Sequence, residues 1–234
     1  LDPTSIIGGK VESFASTATL GKGDHTFTEA DESDGSFLLL RPRKAVIANI
    51  DNDHLETYNN NIEELKKSFK NFCLNIPFHG RIFANGDSLE VLDVIENLPR
   101  NVTSYGFSEI NDFQISDFSQ NKNGSEFSLL NKSNKKKMKF KTNMIGRHNV
   151  SNTVAAIIVA LDEGISYEDI KDSLEKFIVI ERRFQLISEK VFNKDIVLID
   201  DYGHHPNELS VSINTVKEVW PERKLLVVFQ PHRY

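Results

Sequence analysis

Apolar and polar positions follow two rhythms along this chain. Residues 45–50 form a short, nearly unbroken apolar run, the pattern of a buried strand. Ile62, Leu65, Phe69 and Phe72 then recur at helical spacing behind Asn61, a natural N-cap, which predicts a helix over 62–74. Residues 81–84 and 104–107 predict short strands with a helix over 87–97 between them. Residues 126–130 and 137–141 predict a small hairpin around Asn131-Lys132-Ser133-Asn134. Asn149 or Ser151 opens a strongly apolar helix to about Asp162, stopped near Gly164. Ser166 caps another through Phe177, with Glu168 and Asp169 in its first turn. The pattern changes near Ile180. Residues 184–191 and 196–199 predict strands, 206–219 a helix and 224–229 a last strand. Strand, helix, strand is a βαβ unit, so a parallel sheet is expected to begin here. The expected class is α/β.

Composition narrows the function. The 234 residues make one large domain or two smaller ones. A net charge of −6 gives no general basic footprint, so no nucleic-acid partner is expected. No apolar run approaches the ~18 residues of a membrane span, so no membrane association is expected. Leu1-Asp2-Pro3-Thr4 has no signal-peptide character and no initiator Met, and reads as a cut into a longer chain. Cys73 is the single cysteine, which fits a reducing compartment; a buried, inert thiol is expected. Lys135-Lys136-Lys137 reads as a solvated hairpin face.

Six clusters carry candidate chemistry. The densest is Asp200-Asp201-Tyr202-Gly203-His204-His205, between the end of an apolar strand and a helix opening at Pro206. Ligands of open α/β sheets bind at that place, and a helix N-terminus offers N–H groups to phosphate. Glu29-Ala30-Asp31-Glu32-Ser33-Asp34 is either a solvated acidic loop or a divalent-cation site; the cost of crowding carboxylates favours the cation. Asn49-Ile50-Asp51-Asn52-Asp53-His54 follows the first buried strand, although imidazole is an unusual magnesium ligand. Gly146-Arg147-His148-Asn149-Val150-Ser151-Asn152 holds more polar groups than one helix cap needs, and Asn amides match an adenine edge. Arg182-Arg183-Phe184 is an exposed basic pair or a partner for base or phosphate. Pro231-His232-Arg233 offers a bidentate clamp for carboxylate or phosphate. Gly8-Gly9-Lys10 and Gly21-Lys22-Gly23 do not meet the spacing of a phosphate loop, and no other stretch does.

In this order, these clusters together with Leu55-Glu56-Thr57-Tyr58 and Phe229-Gln230 resemble the Mur ligases of bacterial cell-wall synthesis. Ser33-Asp34 and the His pair favour the branch that adds alanine. The resemblance implies a central ATPase-type domain over 1–181, with a mostly parallel sheet flanked by helices, and the opening of a Rossmann-like C-terminal domain over 182–234. It implies ATP-dependent ligation of L-alanine to the carboxylate of UDP-N-acetylmuramate through an acyl phosphate, in the cytoplasm. Glu29 and His54 would bind Mg2+. His148, Asn149, Asn152, Arg183 and Asp201 would meet ATP. Asp31, Ser33 and Asp34 would face the UDP-linked substrate, and His204, His205 and Arg233 the reacting groups. Some relatives carry a carbamylated lysine where this chain has Phe69, so none is expected. The alternatives are a peptide-adding ligase and a non-catalytic nucleotide-binding remnant. Without its phosphate loop the chain alone is expected to be inactive, and prone to self-association through exposed surfaces.

Overall fold

The structure is a computed structural model that describes residues 1–7, 17–177, 181–191 and 193–231. Three short strands come first: β1 (Thr4–Ile6), β2 (Ala18–Thr19) and β3 (Thr26–Thr28). β1 lies between antiparallel β2 and parallel β3. The main sheet and its helices follow, as β4 (Lys44–Ile47), α1 (Ile62–Leu74), β5 (Arg81–Asn85), α2 (Leu89–Ile95), β6 (Val102–Gly106), β7 (Phe113–Asn121), β8 (Gly124–Asn131), β9 (Lys136–Thr142), α3 (Arg147–Asp162) and α4 (Tyr167–Lys176). β10 (Gln185–Ser188), β11 (Leu198–Asp200) and α5 (Pro206–Val219) complete the set.

The main sheet runs β4-β5-β6-β7-β8-β9. Its first four strands are parallel and its last three antiparallel. β5 shows why its strands read as continuous apolar runs. Ile82 and Ala84 pack into a core with Leu65, Phe72 and Val91, whereas Phe83 packs on the other side with Val150, Val154 and Ile157. A parallel strand buried on both faces has no polar side to show. The α/β class is as expected.

Local chemistry sets the helix boundaries. Asn61 Oδ1 accepts the Glu63 amide at 2.9 Å, and Ser166 Oγ accepts that of Asp169 at 3.1 Å, so both predicted caps form. Cys73 is fully buried, and burial pushes its thiol up to about 11, which leaves it inert at neutral pH. Asp162 and Glu163 at the carboxyl end of α3 oppose its dipole. Lys44 lies 2.5 and 2.6 Å from them, Arg81 is 2.9 Å from Asp162, and His25 is 3.1 Å from Glu163.

Three expectations need correction. α3 begins at Arg147, not at Asn149 or Ser151: Gly146 takes the N-cap position without a side-chain bond. The hairpin is the outer part of a three-stranded meander, because β7 extends the main sheet. Its polar Ser116-Asp117-Phe118-Ser119 stretch and the irregular register there break the strand rhythm. Residues 224–229 form no strand, and β10 and β11 pair antiparallel, so no βαβ unit closes among the described residues. An apolar run becomes a strand only when a neighbour takes up its backbone groups, and here Leu226 and Val228 are 83% and 92% exposed. Among the described residues no helix is long and apolar enough to cross a membrane.

Candidate active site

The turn from β11 into α5 is built around Asp201. Its Oδ1 accepts the Gly203 amide at 2.6 Å, and its Oδ2 accepts the Phe184 amide at 3.0 Å and the Ser212 hydroxyl at 3.1 Å. Phe184 is buried at φ 51°, a left-handed conformation costly for a bulky residue, so the bond to Asp201 holds a strained corner. Glu208, in the first turn of α5, reaches back to the amides of His204 and His205 at 3.0 and 3.2 Å. Pro206 leads that helix with a φ already suited to it.

The same turn meets the carboxyl end of β4. His204 Nε2 lies 3.8 Å from Asp53 Oδ2, and His54 Nε2 lies 3.7 Å from the same oxygen. His205 Nδ1 is 3.5 Å from Asp51 Oδ2, which accepts the Asn207 amide at 2.7 Å. Two acids after one strand therefore face two imidazoles after another. His54 sits at φ 54°, with its amide bound to Asp53 Oδ1 at 2.9 Å.

The acidic segment reaches this corner through the turn after His54. Thr57 Oγ1 donates to Ser33 O at 2.5 Å, and Tyr58 Oη donates to Glu32 O. Asp31 and Asp34 each accept a backbone amide two residues on, from Ser33 and Ser36 at 2.8 Å. The Ser36 side-chain and backbone donors hold the Asp34 carboxyl below its usual range. Burial, followed by the charges of Glu32, Asp34 and Asp31, raises the Tyr58 phenol. Glu29 and His54 thus stand on adjoining segments. Among the described residues, no three His, Cys, Asp or Glu side chains are grouped to hold a metal ion.

The start of α3 closes the other side. His148 has a buried Nδ1 with no hydrogen-bond partner among the described residues. Burial lowers its pKa, Asp201 and Glu208 act upward, and Arg183 acts downward, so all three charged groups lie within electrostatic reach. Asn149 is buried, and its amide donates to Ile145 O at 2.8 Å, whereas Asn152 is exposed. Arg147 lies over the Phe107 ring, 3.7 Å from its centroid. Gly146 has φ 102°, and a Cβ there would stand 2.6 Å from the His148 ring and 3.3 Å from Thr215 Oγ1. Arg183 is exposed and 3.9 Å from Glu208, while Arg182 lies over Tyr202 at 4.9 Å. The expected clamp, Arg233, lies outside the described residues, as does His232.

The clusters around Glu29, His54, His148 and His204 therefore belong to neighbouring parts of one surface. Asp51, Asn207, Glu208 and Gly146 lie in or beside the candidate clusters, but none of them took a role of its own from the sequence. Glu208 had a signal, the third helical position behind Pro206; Asp51 and Asn207 are 156 residues apart, and nothing local joins them.

Two family models match the chain. The Mur ligase middle domain matches residues 11–160, and the Mur ligase glutamate ligase domain matches residues 182–233. UDP-N-acetylmuramate--L-alanine ligase of Wigglesworthia glossinidia brevipalpis is 41% identical over 240 residues, covering 100% of this chain and 50% of that protein. The enzyme of the same name from Psychrobacter sp. is 40% identical, covering 100% and 49%. The chain spans about half the length of the curated relatives it matches. The solved structure of UDP-N-acetylmuramate-alanine ligase from Thermotoga maritima superposes with a TM-score of 0.82 at 25% identity, over 99% of this chain and 51% of that one. With the middle-domain match alone taking residues 11–160 of 234, the chain belongs to the Mur ligase family.

Proposed function

We propose that this chain is part of an enzyme that joins L-alanine to the carboxylate of UDP-N-acetylmuramate at the expense of ATP, in the cytoplasm. The observation that supports it best is the convergence of Asp51, Asp53 and His54 on His204, His205 and Asn207, in a chain about 40% identical to ligases of that name along its whole length. In the reaction the substrate carboxylate attacks the γ-phosphorus of ATP, ADP leaves, and an acyl phosphate forms. The alanine amine then attacks the acyl carbon, and phosphate leaves from the tetrahedral intermediate. Both steps crowd negative charge, so positioning and charge compensation dominate.

The residues divide as follows. His148 and the exposed Asn152 lie where a nucleotide can meet the start of α3, with Arg183 beside them. Asn149 supports that start from inside. Asp201 serves the nucleotide side mainly by holding Phe184 and Gly203, since three donors already occupy its oxygens. Asp31, Ser33 and Asp34 face the UDP-linked substrate from a loop docked on Thr57 and Tyr58. Mg2+ keeps several waters and takes one or two protein carboxylates beside phosphate oxygens. Glu29 and His54 are assigned to Mg2+, on segments brought side by side by the bonds from Thr57 to Ser33 and from Tyr58 to Glu32. A bound Mg2+ would neutralise phosphate charge. His204 and His205 stand at the meeting point, suited to the reacting groups, and Arg233 is assigned to the alanine carboxylate. The boundary between the two domains is placed at residues 181 and 182.

The test is phosphate release. A polypeptide that joins this chain to a phosphate loop is expected to release phosphate from ATP only when UDP-N-acetylmuramate and L-alanine are both present. The 234-residue chain, which holds no such loop, is expected to release none. Release driven by a peptide in place of alanine would move the assignment to a peptide-adding ligase. Release by the 234-residue chain itself would show that this loop is dispensable.

A further inference from the structure

Asp51 stands where the two matched domains meet, and both of its oxygens are engaged. Oδ1 accepts the amide of Asn52 at 2.8 Å, which fixes the carboxylate to its own loop. Oδ2 accepts the Asn207 side-chain amide at 2.7 Å and lies 3.5 Å from the buried His205 Nδ1. Asn207 is the second residue of α5, so the carboxylate also sits at the positive end of that helix dipole. The far end of α5 has its own tether, Gln120 Nε2 to Glu218 Oε2 at 2.7 Å. A cavity of about 260 Å³ lies beside Asp51, lined by Asn49, Asn52, Lys66 and Glu90 from the middle domain and closed by Asn207. His204 and His205 directly precede the pinned turn.

We propose that Asp51 is a positioning residue: by seating the first turn of α5 through Asn207 it sets where His204 and His205 stand against the end of β4. The proposal rests on the ligase reading for the meaning of those imidazoles, but not for the contact itself. The observed partners of Asp51 are Asn52, Asn207 and His205, so it acts through α5. A charge-assisted bond of this kind is strong enough to hold one arrangement of two domains over another.

Exchanging the two partners gives the test. Spin labels on Lys67→Cys in α1 and Lys217→Cys in α5 report the distance between the domains, because both sites are exposed and Cys73 is fully buried. Asn207→Asp sets two carboxylates face to face, and the native distance population is expected to fall about tenfold relative to longer distances. Adding Asp51→Asn restores a carboxylate–amide pair with the roles reversed, and should restore the native population. Where Asn207→Asp lowers helix content in circular dichroism, Asn207→Ala takes its place, paired with Asp51→Ala in a double-mutant cycle whose coupling must be favourable. An unchanged distribution in Asn207→Asp, failure of the exchange to restore it, or no coupling in the cycle overturns the proposal.

A second readout uses the chain joined to a phosphate loop. Asn207→Asp is expected to lower kcat for alanine-dependent phosphate release about tenfold, with KM for ATP held within about twofold, and the exchange should recover kcat. The spin-label distances need no substrate, so they judge the positioning role alone. Loss of alanine dependence in the unmutated protein would instead sink the ligase reading.

Discussion

Asp201 and His148 show how single residues tie this site together. Asp201 satisfies three donors from three stretches of chain, so it has a folding role of its own. His148 adds a dependence on pH. Burial holds its pKa below the usual 6.5, so the folded protein binds fewer protons at this ring than the unfolded chain does. Stability is therefore fully present above about pH 6.5 and is lost as the pH falls from there toward the folded-state value. Denaturant midpoints taken between about pH 7.5 and 5.5 should fall more steeply for the native chain than for His148→Gln. Parallel slopes would remove His148 from the account. The sequence displayed these residues but not their partners. His54 and His204 each drew notice beside an acid, yet that Asp53 lies between them depends on how two segments 150 residues apart meet. Asn149 looked like a base-reading amide, and its bond to Ile145 became visible only once α3 began at Arg147.

Among the elements, those with their own caps were legible. Asn61, Ser166 and Pro206 carry local signals that tertiary packing did not override, and α1, α4 and α5 start where these residues place them. β7 was hidden because a half-exposed strand with an irregular register has little periodicity, and residues 224–229 misled because strand propensity says nothing of a partner. α5 also carries a prediction. Glu208→Ala leaves the amides of His204 and His205 without their acceptor and should cost about 1 kcal/mol in chemical denaturation, while Glu208→Gln keeps most of it. Equal stability of Glu208→Ala and the native chain would place the start of α5 under the control of packing alone.

For the whole molecule, the exposed apolar run near the C-terminal end matters most. Leu226 and Val228 project into solvent in a stretch that pairs with no strand among the described residues, and Val227 and Phe229 are half exposed. Unpaired apolar β segments recruit one another. Light scattering of the 234-residue chain should show association that rises with concentration, and Leu226→Lys with Val228→Lys should reduce it. A single monomer mass at every concentration would rule this out.

Gly146 bears on how freely the two matched domains can be exchanged. Its absent side chain leaves room for His148 on its own helix and, across the domain boundary, for Thr215 on α5. Residues from both domains thus crowd one point with no space for a methyl group. A hybrid built from this middle domain and a relative's C-terminal domain would therefore inherit a size limit at the position of Thr215. Grafts with a bulkier side chain there would be held off the surface, however well the two parts fold separately.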